Sequence, residues 1–203
     1  MNTTKKILVV VERSENSIKP FVFEAIHAAR LLANSLGGTV HVLCFGLETS
    51  MVSCFVGWGA DHVRILQNPL FGSITLEQAL ESIEPQINAE KPYAVFFSAT
   101  TRGKELSASL SARLNTSLAT DCVAIEIGET GEILVQRPVY AGKALSNLIL
   151  KGTGPHILSL RQNIFRGSGP DFSREGKIES IDIKIPEDRL VLKIQDVVRE
   201  AGS

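Results

Sequence analysis

The first half of the chain alternates between two hydrophobic periods. Lys5 to Glu12 (KKILVVVE) has a continuous β-branched centre, the pattern of a strand covered on both faces, which predicts a central place in a sheet. Lys19-Pro20 then opens a helix, with Phe21, Ala25, Ala28, Leu32 and Leu36 at helical spacing until Gly37-Gly38 stops it. Thr39 to Phe45 predicts a second strand, Glu48 to Val56 a short and weakly periodic helix, and Asp61 to Leu66 a third strand. Thr75 to Glu90 carries Leu76, Leu80, Ile83 and Ile87 on one helical face and ends before Lys91-Pro92. Tyr93 to Ala99 (YAVFFSA) follows as a buried strand, and Gly103 to Leu114, with Leu106, Leu110 and Leu114 four apart, as a further helix. Strands alternating with helices in this way predict right-handed βαβ crossovers and an α/β, doubly wound, mainly parallel sheet.

After Asn115 the pattern changes to strands alone. Asp121 to Ile127, Glu132 to Tyr140, Ser146 to Lys151 and Ile157 to Leu160 are predicted as antiparallel strands in this second half, with Gly128-Glu129-Thr130-Gly131 closing a hairpin. No internal repeat interrupts the series.

Length and charge divide the chain. Its 203 residues allow one good-sized domain plus an appendage. Residues 1–160 hold 27 charged side chains, whereas the 43 residues from 161 onward hold 16, eight of each sign. A core cannot be built at that density without partners, so the expected division is an α/β domain over 1–165 and a charged connector over 166–203. Within the connector, Ile181 and Ile183 alternate with Asp182 and Lys184, and Val191-Leu192, Ile194 and Val197-Val198 follow Pro186, which predicts strand-like segments.

The net charge of −1 contains no block of five like charges and indicates no grip on nucleic acid or anionic lipid. Apolar runs of about five residues fall far short of the ~20 needed to span a bilayer, and no signal peptide is read, so a soluble protein is expected. Cys44, Cys54 and Cys122 are an odd number without CxxC spacing, which disfavours a disulfide framework or a metal site and fits a reducing cytoplasm.

Two stretches are candidates for binding. Thr100-Thr101-Arg102-Gly103 follows a strand and opens a helix, where unpaired N–H groups, a hydroxyl and a guanidinium suit a phosphate. The same residues also suit a plain helix cap, with Thr100 or Thr101 as the capping residue and Arg102 solvated. In Gln136-Arg137-Pro138-Val139-Tyr140-Ala141-Gly142-Lys143, proline marks an edge or irregular strand. Arg137, Pro138 and Tyr140 are therefore candidates for an interface, or for an edge blunted against aggregation. Nothing supports catalysis: Ser98 lacks the GxSxG elbow, Gly37-Gly38 ends a helix instead of opening one, and the GxxxxGK[ST] loop is missing. His27, His41, His62 and His156 stand in no metal-ligand spacing, Cys44 and Cys122 read as core thiols, and Trp58 between two glycines is either exposed or covered by a loop.

Four stretches together resemble the amino-terminal domain of the electron transfer flavoprotein alpha subunit: KKILVVVE with its helix ending at LGG, KPYAVFFSATTRGKELSASLSARLNTSLATD, ILVQRPVYAGKAL, and HILSLRQNIF. The resemblance implies a fold of the adenine-nucleotide alpha-hydrolase-like type and a cytoplasmic heterodimer with a beta subunit of related fold. It also implies that FAD is held chiefly by a carboxyl-terminal domain beginning just beyond Ser203. The complete heterodimer would pass electrons between dehydrogenases and a quinone reductase or another acceptor. This chain is then expected to be a non-catalytic scaffold with no cofactor or metal of its own. The alternative is a stand-alone adenine-nucleotide-binding protein of the universal-stress type, gripping phosphate with Thr100, Arg102 and Gly103. An ATP-dependent ligase is disfavoured, because Glu12-Arg13-Ser14-Glu15-Asn16 stands where such enzymes carry SGGxDS.

Overall fold

A computed structural model describes residues 5–12, 17–185, 190–192 and 194. The first strand, β1 (Lys6–Val11), alternates strictly: Ile7, Val9 and Val11 join one buried cluster and Leu8 and Val10 the other. A strand buried on both faces must have helices on both sides, and it has. Helix α1 (Pro20–Leu36) covers the first face through Ala25, Ile26, Ala29 and Leu32. It starts with proline in its first turn and stops at Gly37, whose φ of 60° is the left-handed conformation that glycine adopts without penalty. Gly38 is needed for closeness instead, since a Cβ there would lie 2.2 Å from the Lys5 carbonyl oxygen.

β2 (Thr39–Phe45) returns parallel to β1, pairing Val40 with Ile7. Two short helical turns follow, α2 (Thr49–Val52) and α3 (Cys54–Gly57), where one weak helix was predicted. Trp58 then stacks on Phe23 with ring centroids 5.1 Å apart, and is partly covered. β3 (His62–Gln67) leads through a 3-10 turn into α4 (Leu76–Glu90), started by a reciprocal cap between Thr75 and Gln78. β4 (Ala94–Ser98) and α5 (Thr101–Leu114) complete the alternating half, with α4 and α5 packing Leu80, Ile83, Leu106 and Leu110 on the second face.

The strand-only half departs from expectation. The segment predicted as one strand over 121–127 divides at Val123 into β5 (Leu118–Cys122) and β6 (Ala124–Ile127), and within β5 the register against its neighbour shifts where Asp121 takes a left-handed φ of 59°. β5 and β9 (His156–Leu160) are not antiparallel; both join the parallel sheet, β9 lying between β4 and β5. The physical reason is burial, since all five residues of β9 are inaccessible and only an interior slot accommodates such a strand. The antiparallel part is confined to β6, β7 (Ile133–Val139) and β8 (Ala144–Leu150), an excursion between β5 and β9, with the predicted Gly128–Gly131 turn joining β6 to β7.

β10 (Lys177–Asp182) comes from the charge-rich segment and adds to the sheet edge parallel to β3. The seven-stranded order is β10-β3-β2-β1-β4-β9-β5, which places β1 in the middle as predicted. Beyond it Ile183 and Ile185 pack on the second cluster, whereas Val191 and Leu192 are exposed and form no strand, their N–H groups donating to Glu77. Val197-Val198 and Arg13-Ser14-Glu15-Asn16 lie outside the described residues.

Candidate functional site

The order of the sheet reverses at β1, flanked by β2 and β4 with helices on opposite faces, and open α/β sheets receive ligands at such a reversal. Glu12 follows β1 there, and Thr100 follows β4. Thr100 caps α5, its Oγ1 accepting the Gly103 N–H at 2.8 Å, and donates to Glu12 Oε1 at 2.5 Å. Gly103 is required by this crowding: a Cβ would lie 2.0 Å from the Ser98 carbonyl oxygen and 2.7 Å from Glu12 Oε1. Arg102 is not simply solvated, for it donates to Glu105 at 3.0 Å and to the Ile74 carbonyl at 3.2 Å.

The structure thus brings Thr100, Arg102 and Gly103 together and sets a carboxylate of the same chain against the helix terminus. Burial pushes the Glu12 carboxyl above its ordinary range, opposed by the Thr100 hydrogen bond and the Arg102 charge. A nucleotide or flavin pyrophosphate at this terminus would meet the Glu12 carboxylate beside a Gly103 N–H already taken by the Thr100 cap, so these residues do not fit either group.

Arg137, Pro138 and Tyr140 separate onto different sides of the antiparallel sheet. Along β7, Ile133 and Val135 are buried while Gln136 is exposed, so Arg137 shares the inward face and Pro138 the outward one. Arg137 is half-buried, and its charge adds to the pull that Arg161 exerts on Asp121. Arg161 donates Nε and Nη2 to Asp121 at 3.1 and 2.6 Å, and this pairing holds the Asp121 carboxyl below the usual range. β7 is the middle strand of its sheet, not an edge, but β6 pairs only with Ile133 to Gln136, so at Pro138 one flank is free of a neighbour. Tyr140 follows the strand with a left-handed φ of 52°, succeeded by Ala141 and Gly142 in the same region, and projects at 81% exposure.

Sequence reasoning missed the residues beside them. Leu145 and Ile149 on β8 face outward at 60% and 54% exposure, while Leu150 is buried and Leu148 packs on the core. Ile149, with Leu134, Gln136, Asn147 and Glu126, borders a shallow groove of about 320 Å³. The spacing of Leu145 and Ile149 was the available signal, yet only the orientation of β8 tells which apolar residues point away from the core.

The remaining candidates are structural. His41 donates to Glu90, His62 pairs with Glu179 and His156 with Ser117. Cys44 and Cys122 are core thiols that burial pushes up to about 12. Among the described residues no helix is long and apolar enough to cross a membrane, and no group of three or more His, Cys, Asp or Glu is placed to hold a metal ion.

The sequence pattern of the electron transfer flavoprotein domain matches residues 7–186, every strand from β1 to β10. The chain belongs to that family. It is 34% identical to the electron transfer flavoprotein subunit alpha of Bacillus subtilis over 199 residues, 98% of this chain and 59% of that protein. The corresponding subunit of Thermoanaerobacterium thermosaccharolyticum is 28% identical over 202 residues, and subunit LctC of the lactate dehydrogenase (NAD(+),ferredoxin) of Acetobacterium woodii 27% over 197. The chain spans 61% of the length of the former and 47% of the latter. The electron transfer flavoprotein match includes β10, so the edge strand drawn from the charge-rich segment belongs to the family's domain pattern.

Proposed function

We propose that this electron transfer flavoprotein domain is the non-catalytic scaffold of an alpha subunit, and that it docks a beta subunit through the outer face of β6–β8. The observation that carries this reading is the outward pair Leu145 and Ile149, two large apolar side chains more than half exposed on one sheet face. Covering them releases about 25 cal/mol per Å² of apolar area before the entropic cost of docking. Pro138 and Tyr140 extend that surface, and Arg137 lies on the opposite, inward face of the same strand. Residues 1–165 form the α/β body and 166–203 the charged connector toward a flavin domain, stitched to the body at β10. FAD then belongs to the complete heterodimer and is held outside the residues described here, carrying electrons from dehydrogenases to a quinone reductase or another acceptor. A stand-alone nucleotide-binding role is disfavoured by the Glu12 carboxylate against the α5 terminus.

The test is co-expression with a beta subunit followed by light scattering on the purified material. Leu145→Asp with Ile149→Asp should abolish association, and Tyr140→Ala should weaken it by about 1 kcal/mol or more while leaving the melting temperature unchanged. Association that survives all three substitutions unchanged would overturn the assignment.

A further inference from the structure

We infer that a basic cleft at the amino-terminal ends of the strands, opposite the Glu12–Thr100 crevice, binds the linked phosphates of a small multivalent oxyanion. Four segments distant in sequence converge there. Lys5 and Lys6 enter β1, Lys91 ends α4, Lys151 follows β8, and the β6–β7 turn closes one side, around a cavity of about 700 Å³. The cleft is lined by four ammonium groups and one carboxylate in a chain whose net charge is −1. That carboxylate, Glu132, feels the Lys151 charge but is tied by hydrogen bonds into its own loop, where its Oε2 accepts the Thr130 N–H at 3.1 Å and the Thr130 hydroxyl at 2.5 Å.

The amines are only lightly engaged. Lys5 Nζ stands 4.0 Å from the centre of the Tyr93 ring and 3.4 Å from the Gly131 carbonyl oxygen, and Lys6 Nζ reaches Glu90 only at 4.0 Å. Lys91 and Lys151 are exposed. Lysine binds phosphate as a movable point charge with three donors, so four amines from three separate segments suit a ligand carrying several charges on adjacent groups. A monovalent anion would leave most of that repulsion uncompensated. The concave shape favours a small molecule over a flat contact.

The experiment is calorimetry on the full chain at low ionic strength, with tripolyphosphate, ATP and adenosine as separate titrants. Tripolyphosphate should bind with a Kd of about 0.1–1 mM and lose affinity steadily with added salt. A Lys91→Gln/Lys151→Gln variant, altered only at exposed positions, should melt as wild type does and bind about tenfold more weakly. Arg102→Ala should leave the affinity unchanged, which separates this cleft from the α5 terminus. Equal affinities for ATP and tripolyphosphate identify the phosphate chain as the feature read, and tighter ATP with measurable adenosine binding identifies a nucleotide's phosphates. The proposal falls if neither tripolyphosphate nor ATP binds, if the double variant binds as tightly as wild type, or if Arg102→Ala abolishes binding. It also falls if oligophosphate never binds while the double variant weakens capture of a beta subunit, which would make the cleft a seat for an acidic partner segment.

Discussion

Thr100 and Glu12 stand 88 residues apart, and the Thr100 hydroxyl serves both the Glu12 carboxylate and the Gly103 N–H in one chain of hydrogen bonds. The cap of α5 and the end of β1 are therefore one unit. Thr100→Ala removes the cap and leaves a partly buried carboxylate without its donor, at a cost of about 2 kcal/mol. Thr100→Ser keeps both bonds and should recover most of that loss in chemical denaturation.

Glu12 makes a pH-dependent contribution of definite sign. Its folded pKa lies above the ordinary 4.5, so just above that value the folded chain binds more protons than the unfolded one. Stability from this group is complete at lower pH and declines as pH rises through the folded pKa. Glu12→Gln should remove that decline, and melting curves recorded from pH 4 to 7 would show a flatter profile than wild type. A variant profile parallel to wild type would refute the burial argument.

His41 acts in the opposite direction. Its ring donates to Glu90 at 2.6 Å, but the carboxylate is already matched by the Arg64 guanidinium, so His41 serves as a neutral donor. Burial, with Arg64 and Lys6 nearby and Asp61 opposing, pushes its pKa down from 6.5 to about 4. Between those values the unfolded chain binds the additional proton, so stability is complete above pH 6.5 and is lost as pH falls toward 4. His41→Asn should flatten this acid limb while lowering stability at neutral pH through the lost hydrogen bond. Melting temperature against pH for the two proteins decides it.

Asp61 fastens the charge-rich segment to the sheet. Its carboxylate accepts from Arg30 at 2.8 Å, from the Val40 N–H at 2.8 Å and from Arg174 at 3.1 Å, just ahead of β10. Asp61→Ala should cost about 2 kcal/mol, because two guanidinium groups and an N–H lose their acceptor. Arg174→Ala removes a half-exposed pair and should cost about 1 kcal/mol or less. Its distinctive effect is local: amide exchange should accelerate over residues 177–182 and not in β1 or β4. Uniform acceleration would show that β10 opens only with the whole domain.

The sequence by itself determined the alternating half, because periods of two and of 3.6 residues are local properties of apolar spacing. β1 announced its central position by being apolar at consecutive positions, and Gly37 its helix stop by a conformation that other residues resist. The turn at 128–131 was legible for the same reason. Only tertiary structure decided how strands meet. The run at 156–160 shows that a strand is buried, yet the slot between β4 and β5 exists only because the α5 crossover sets β5 two places away. Strand parity turned Arg137 inward and Leu145 outward, and parity has no meaning until a sheet lies beneath the strand. The helix terminus that reads as a phosphate seat from Thr100 to Gly103 holds Glu12 instead, because the ends of β1 and β4 become neighbours only when their strands pair. Local spacing specifies elements; the contacts between distant elements specify which of their polar groups remain free to bind anything.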